Sequence, residues 1–263
     1  MSVFHGKIKR VKLKVIRLRQ QIRAKGLRKS LGQGSYIPPE VVNDDFASWI
    51  TKIVVKPEVK ILIEIGSSSG EGSTLAIMKG LKKKNSWSLH LLEVDPLRLE
   101  SLKRKFLKKN GVFIHRYSSV SISEYPTPED VVQFYNSTPT NLNRWPIDTI
   151  LQWMAEDKKN LMNSGLAQLN GINQIKNDFG IKHFDFALID GSEFTGFADL
   201  RSLLGARYIL LDDINAFKCN QAYKALKDDP RYTLEYENWK LRNGFAVFSI
   251  VDPLIFEEIH SSS

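Results

Sequence analysis

From residue 59 onward, short unbroken apolar runs alternate with stretches whose apolar positions recur every three or four residues. "VKILIEIG", "WSLHLLEVD" and "VFIHRYSS" are runs of the first kind, bounded by glycine, proline or serine, and they predict buried strands. Between them "GSTLAIMKGLKKK" and "PLRLESLKRKFLKKN" have helical spacing. Strand, helix, strand in repetition predicts a parallel sheet with right-handed crossovers. The rhythm resumes with "HFDFALIDG", a short helix near Phe197 to Leu204, "ARYILLDDIN" and the helical "CNQAYKALKDD". "RYTLEYENWKL" and "NGFAVFSIV" then follow with only a few residues around Arg242 to Gly244 between them, the spacing of a closing antiparallel hairpin. A further helix from about Val41 to Ile53 precedes the first strand.

Between Ser121 and Gly180 the rhythm breaks, with prolines at 126, 128, 139 and 146 and then a helix from Ile147 to about Leu161. An inserted segment of this length between core strands is commonly a functional lid. A dimerisation element is the other reading, and it leaves a homo-oligomer open.

At 263 residues with 42% hydrophobic content, the chain is long enough for one large α/β domain with additions. It has no run of eighteen apolar residues and no secretory signal pattern, which predicts a cytoplasmic protein. The single cysteine, Cys219, excludes an internal disulfide and reads as inert packing.

Charge divides the chain in two. Of the net +9, residues 1 to 30 carry eleven basic side chains and no acid, so the body is close to neutral. Val11, Val15, Leu18 and Ile22 recur at helical spacing, so residues 1–35 read as a basic helical arm that "GQGSYIPPE" separates from a domain over 36–263. Such an arm can be a solvated extension, a contact with an anionic lipid or membrane surface, or a nucleic-acid contact. The absence of interleaved aromatics argues against nucleic acid.

Candidate chemistry concentrates at the strand ends. Glu64 to Gly72 reads E-x-G-x-x-x-G-x-G, which differs from the G-x-G-x-x-G of dinucleotide enzymes. It resembles motif I of the class I S-adenosylmethionine-dependent methyltransferases, in which an acid precedes a glycine loop that wraps the methionine half of the cofactor. The resemblance implies a doubly wound, Rossmann-like seven-stranded sheet with one antiparallel strand. It also implies S-adenosylmethionine as cofactor, with Gly66, Ser67, Ser68, Gly70, Gly72 and Ser73 around its carboxylate and Glu64 beside its ammonium group. Asp95, at the end of "LLEVD", would take the ribose hydroxyls, with Glu93 two residues earlier on the same strand face. Ser118 and Ser119 would lie near the adenine by analogy.

"FDFALIDGSEF" resembles an element of cephalosporin hydroxylase-like and related small-molecule methyltransferases, with Glu193 where many have histidine. "ILLDDIN" resembles the metal-bearing strand end of the catechol O-methyltransferase group. Carried over, Asp190 borders both cofactor and acceptor, and Asp190, Asp212 and Asp213 form three oxygen donors for Mg²⁺ or another divalent cation. The repulsion between carboxylates at adjacent strand ends is the physical reason for expecting that cation. Helix capping or direct substrate contact is the alternative for Asp212 and Asp213.

Glu193 is the candidate acid/base group. His115 and His183 are alternatives to it, though their place beside strands reads more readily as packed or surface histidine, and Lys218 is either a contact for an anionic group or, as such a lysine more often is, solvent-exposed. Trp145, Trp153, Phe134 and Tyr135 either line a pocket for the acceptor or pack the insertion itself. The expected activity is methyl transfer to a hydroxyl of a small organic, sugar or lipid-linked acceptor. The alternatives are a nicotinamide-dependent oxidoreductase, which would have a six-stranded parallel sheet, and a non-catalytic binding protein that retains the fold.

Overall fold

A computed structural model describes residues 38–252; the basic arm and the lipid or membrane contact assigned to it lie outside the described residues. Among the described residues no helix is long and apolar enough to cross a membrane.

Seven strands form one sheet: β1 (Ile61–Ile65), β2 (Ser88–Leu92), β3 (Val112–His115), β4 (Phe186–Ile189), β5 (Tyr208–Asp212), β6 (Tyr232–Asn238) and β7 (Phe245–Ile250). Their spatial order is β3-β2-β1-β4-β5-β7-β6, and β7 alone runs antiparallel to its neighbours β5 and β6. The reversed strand is the closing hairpin that the sequence predicts. It also separates this sheet from the six-stranded parallel sheet of the oxidoreductase alternative. The fold is therefore the Rossmann-like methyltransferase fold expected from the sequence.

Three helices cover one face: α1 (Asp45–Val54), α2 (Ser73–Leu81) and α3 (Pro96–Phe106). Phe46, Ile50, Ile77, Leu81, Leu102 and Phe106 pack there against Leu62, Leu89 and Leu188. α4 (Pro128–Ser137) and α5 (Ile147–Asn163) belong to the segment between β3 and β4, while α6 (Gly171–Phe179), α7 (Gly196–Leu203) and α8 (Phe217–Asp228) cover the opposite face. The period of two along β1 sends Ile63 and Ile65 to the α6–α8 side and Leu62 to the α1–α3 side, as their core partners show.

The break in rhythm expected over 121–180 is thus composite. Its last helix, α6, is a core crossover that buries Ile172 and Ile175 against the sheet, and Gly180 ends it in a left-handed conformation. The remainder has its own small core of Val131, Phe134, Leu142, Ile150 and Met154, closed by Phe194 beyond β4 and Phe217 at the start of α8. Phe134 meets Phe217 edge-on at 4.8 Å, and Trp145 meets Trp153 at 5.4 Å. These aromatics therefore serve the insertion's own packing, one of the two readings open to them.

Candidate active site

Chain order along the sheet changes direction between β1 and β4, and in open α/β sheets ligands bind in the crevice beyond the carboxyl ends of such a pair. The E-x-G-x-x-x-G-x-G loop leaves β1 at this point. Gly66 has φ +81, and a Cβ there would lie 2.2 Å from the Asp190 carbonyl oxygen at the end of β4. Only glycine allows the two strand ends to approach so closely. Gly70, φ +73, presses on Leu102 and Phe106 of α3, and Ser68 holds the left-handed region at φ +50. Gly72 is the N-cap of α2 and supplies no side-chain cap, whereas Asp44, Asp95 and Asn170 cap α1, α3 and α6. The amides opening α2 thus face the crevice end of the sheet without a side-chain acceptor from the cap residue.

Glu64 is fully buried beneath this loop. Its two oxygens accept from Ser73 Oγ at 2.5 Å and Thr74 Oγ1 at 2.6 Å, so the acid fastens β1 to the first turn of α2. Burial pushes its carboxyl up to about 6 against those hydroxyl bonds. Ser67 is buried, and its amide, like that of Gly66, is held by the Leu92 carbonyl.

The two acids after β2 have separate roles. Asp95 N-caps α3, accepting from the amides of Leu97 at 3.0 Å and Arg98 at 2.9 Å. Glu93 is buried and accepts from the Asp95 amide at 2.8 Å and from the backbone of Ser68, which brings its carboxylate to the glycine loop. Burial raises its carboxyl above the usual range. Pro96 directly after Asp95 is a helix-start signal, and it is the available sign that Asp95 caps α3, which it does through Oδ1.

Ser118 donates to the Val120 carbonyl at 2.6 Å, and the carbonyls of Ser118 and Ser119 receive the amides of Gly171 and Ile172. This pair anchors the start of α6. His115 pairs with His90 at 3.1 Å between β3 and β2 and serves packing, as expected. Cys219 is a buried thiol that burial pushes far above its ordinary value.

The carboxylates of β4 and β5 depart most from expectation. Lys218, for which solvent exposure and an anionic partner were both open, is 4% exposed, and its Nζ lies 2.7 Å from Asp190 Oδ1 and 2.8 Å from Asp213 Oδ2. Asp213 follows β5 in a left-handed conformation at φ +61. Asp212 is 2% exposed and bonds Arg242 Nη2 at 3.0 Å, while the other nitrogen of that guanidinium reaches Asp44 at the start of α1. Burial, then Asp213 and Asp190, raise the Asp212 carboxyl to about 8 against the pull of Arg242 and Lys218. The positive charge that adjacent carboxylates require is thus supplied by the protein. Among the described residues no three His, Cys, Asp or Glu side chains form a metal-binding group. The Asp190, Asp212 and Asp213 set does not fit the divalent cation expected for it, because an ammonium lies between two of its members.

Glu193 accepts from the Lys218 backbone amide at 3.4 Å, at the start of α8. A group that the sequence does not announce lies beside it: Ser192 Oγ donates to Asp157 Oδ2 of α5 at 2.5 Å, and Tyr125 Oη donates to the same oxygen at 3.2 Å. Burial raises the carboxyl of Asp157 and the phenol of Tyr125. The insertion thereby delivers a carboxyl to the loop after β4. Sequence carries no signal for this grouping, since Asp157 is 35 residues from Ser192 and 32 from Tyr125.

The fold and the glycine loop at its switch point define a Rossmann-like protein of methyltransferase topology. No protein-family model matches the chain, and no curated protein matches it in sequence. Similar solved structures include an O-methyltransferase from Bacillus cereus in complex with SAH, at 13% identity and TM-score 0.49 over 90% of this chain and 89% of that one. The O-methyltransferase TomG from Streptomyces achromogenes, solved with SAM, has 11% identity and TM-score 0.49, with 88% of each chain covered. A putative caffeoyl-CoA O-methyltransferase from Staphylococcus aureus has 11% identity and TM-score 0.47 over 93% of this chain and 99% of its own.

Proposed function

We propose that the protein is an S-adenosylmethionine-dependent methyltransferase acting on a hydroxyl of a small-molecule acceptor. The observation that carries this reading is the coincidence of the glycine loop with the β1/β4 switch point in a sheet whose β7 is reversed. The cofactor, when bound, supplies an electrophilic methyl group on a sulfonium centre. The chain's part is to hold it. The amides opening α2 and the backbone around Ser68 and Gly72 favour its carboxylate. Glu64 acts indirectly, by fixing that loop through Ser73 and Thr74. Glu93, buried and bonded to the Ser68 backbone of the loop, is placed to accept ribose hydroxyls, and so is Asp95 Oδ2, since both capping bonds fall on Oδ1.

On the acceptor side the insertion acts as a lid whose Asp157 reaches Ser192. A carboxyl whose proton affinity is raised by burial suits a general base for a hydroxyl, and Asp157 is held toward the loop after β4 by Ser192 and Tyr125 on Oδ2. The acceptor hydroxyl would lie near Asp157 and Asp190.

Calorimetric titration with S-adenosylhomocysteine tests the cofactor assignment, with binding expected at micromolar concentration, about 8 kcal/mol. Thermal shift with NAD and NADP should show nothing comparable. No heat with S-adenosylhomocysteine at millimolar concentration, or stabilisation by NAD instead, would sink the proposal. Turnover on a panel of hydroxylated acceptors separates an enzyme from a binding protein that retains the fold.

A further inference from the structure

Three acids, Asp190, Asp212 and Asp213, end the neighbouring strands β4 and β5, and the latter two are almost completely buried. Buried carboxylates require counter-charge, since an unpaired ion in the interior is strongly destabilising. In this chain two side-chain cations answer the requirement. Lys218 bonds Asp190 and Asp213 at 2.7 and 2.8 Å, and Arg242 bonds Asp212 at 3.0 Å.

The position of Lys218 is informative in itself. It lies in the first turn of α8, where the helix dipole disfavours a cation. Its retention there, 4% exposed, means that the two carboxylates outweigh the dipole and the loss of water. The surrounding backbone is shaped to the same end. A Cβ at Gly196 would lie 1.9 Å from the Lys218 carbonyl oxygen, so glycine at 196 lets α7 close against the start of α8. Asp213 holds its left-handed backbone while facing Lys218. A divalent ion on these carboxylates would sit a few ångströms from an ammonium bonded to two of its ligands, and like charges so close repel strongly in a buried site.

We infer that the Lys218 ammonium is the resident cation of the β4–β5 carboxylate group, so that Asp190, Asp212 and Asp213 bind no divalent metal while Lys218 is present. It takes the electrostatic place of a metal beside the acceptor site and holds Asp190 in position. The inference extends the proposed methyl transfer and rests on that reading for the acceptor, but the charge arrangement is tested separately from it.

The test is a calorimetric titration of MnCl₂, and in parallel MgCl₂ and CaCl₂, into the full chain, with S-adenosylhomocysteine titrated into the same preparation. Wild type is expected to show no stoichiometric divalent site. Lys218→Met removes the ammonium but keeps most of the stem, and it is expected to bind Mn²⁺ at least about tenfold more tightly than wild type. Adding Asp190→Asn should cancel that gain. One Mn²⁺ per wild-type chain, abolished by Asp212→Asn, would overturn the inference, and this arm decides even if Lys218→Met fails to fold. A folded Lys218→Met variant with no gain in Mn²⁺ affinity would overturn it as well. Loss of S-adenosylhomocysteine binding alone would instead count against the cofactor assignment and leave the charge arrangement standing.

Discussion

Two glycines with almost the same backbone angle make different demands on their surroundings. Gly66 has φ +81 and would drive a Cβ into the Asp190 carbonyl, whereas Gly165 has φ +75 and nothing within 4 Å of the added atom. Gly165→Ala should therefore cost only the left-handed backbone strain, about 1–2 kcal/mol. Gly66→Ala adds a collision between two strand ends and should cost about 3 kcal/mol or more, with loss of S-adenosylhomocysteine binding. Urea denaturation of both variants measures the difference; equal costs would mean that the β1–β4 approach is loose. The need for glycine at 66 was legible because a Gly/Ser loop directly after an apolar strand marks a backbone that must pass close to a neighbouring chain segment or a ligand. The division of labour between Glu93 and Asp95 was legible only in part, through Pro96. That Lys218 and Arg242 pair with the acids was legible only as an anionic partner left open for Lys218, because each cation lies in a different element from its partners and contact across elements leaves no spacing to read.

At the scale of elements, β2 and β3 are joined by a histidine pair that imposes a pH dependence. His90 Nδ1 and His115 Nε2 are 3.1 Å apart, so one ring must donate and the other accept, and protonating both breaks the bond. Burial lowers each to about 4, with His115 pressing His90 further down and Asp178 opposing the shift at His115. Phe113, Phe179 and Phe184 surround the His90 ring. In the unfolded chain both histidines take up protons near pH 6.5. Between that value and about 4 the unfolded state therefore holds more protons than the folded one. Stability is present above pH 6.5 and falls as pH drops toward 4, by up to about 1.4 kcal/mol per pH unit for each histidine. His90→Phe should remove roughly half of this slope relative to wild type, as read by thermal melts from pH 7 to 4.5. The comparison cancels the opposing contribution of Glu64, whose raised carboxyl makes folding less favourable as pH rises toward about 6. Parallel slopes in the two proteins would show that His90 charges freely in the folded state. The strands themselves were legible as apolar runs. α4 and α6 were not recognised although their caps were present, Thr127 with Asp130 and Asn170 with Gly180, because the prolines between them read as an irregular segment.

Among the described residues, two cores cover the faces of the sheet, and a third joins the insertion to Phe194 and Phe217. The third core was illegible in sequence because its members come from five separate segments, with Phe194 and Phe217 lying beyond the insertion itself. Its small size gives it a separate stability. The sheet cores can stay closed while α4 and α5 open, since local opening breaks a limited set of contacts: those to Phe194 and Phe217, the Asp157–Ser192 bond, and the Asn141 bonds to Asn215 and Asn243. Phe134, 5% exposed and 4.8 Å from Phe217 between ring centres, is the main aromatic bridge. Phe134→Ala removes a buried ring and should weaken that attachment by about 3 kcal/mol. The expected result is amide hydrogen exchange accelerated on the order of a hundredfold across α4 and α5. The amides of β1 and β4 should keep wild-type protection, and S-adenosylhomocysteine should bind within about threefold of wild type, because Phe134 touches none of the glycine-loop residues. Uniform acceleration through the sheet would mean that insertion and sheet unfold as one unit. In that case a lid opening independently of the cofactor site would have to be abandoned. Confinement of the effect to α4 and α5 would leave the insertion as a closure that can admit an acceptor while the cofactor loop stays formed.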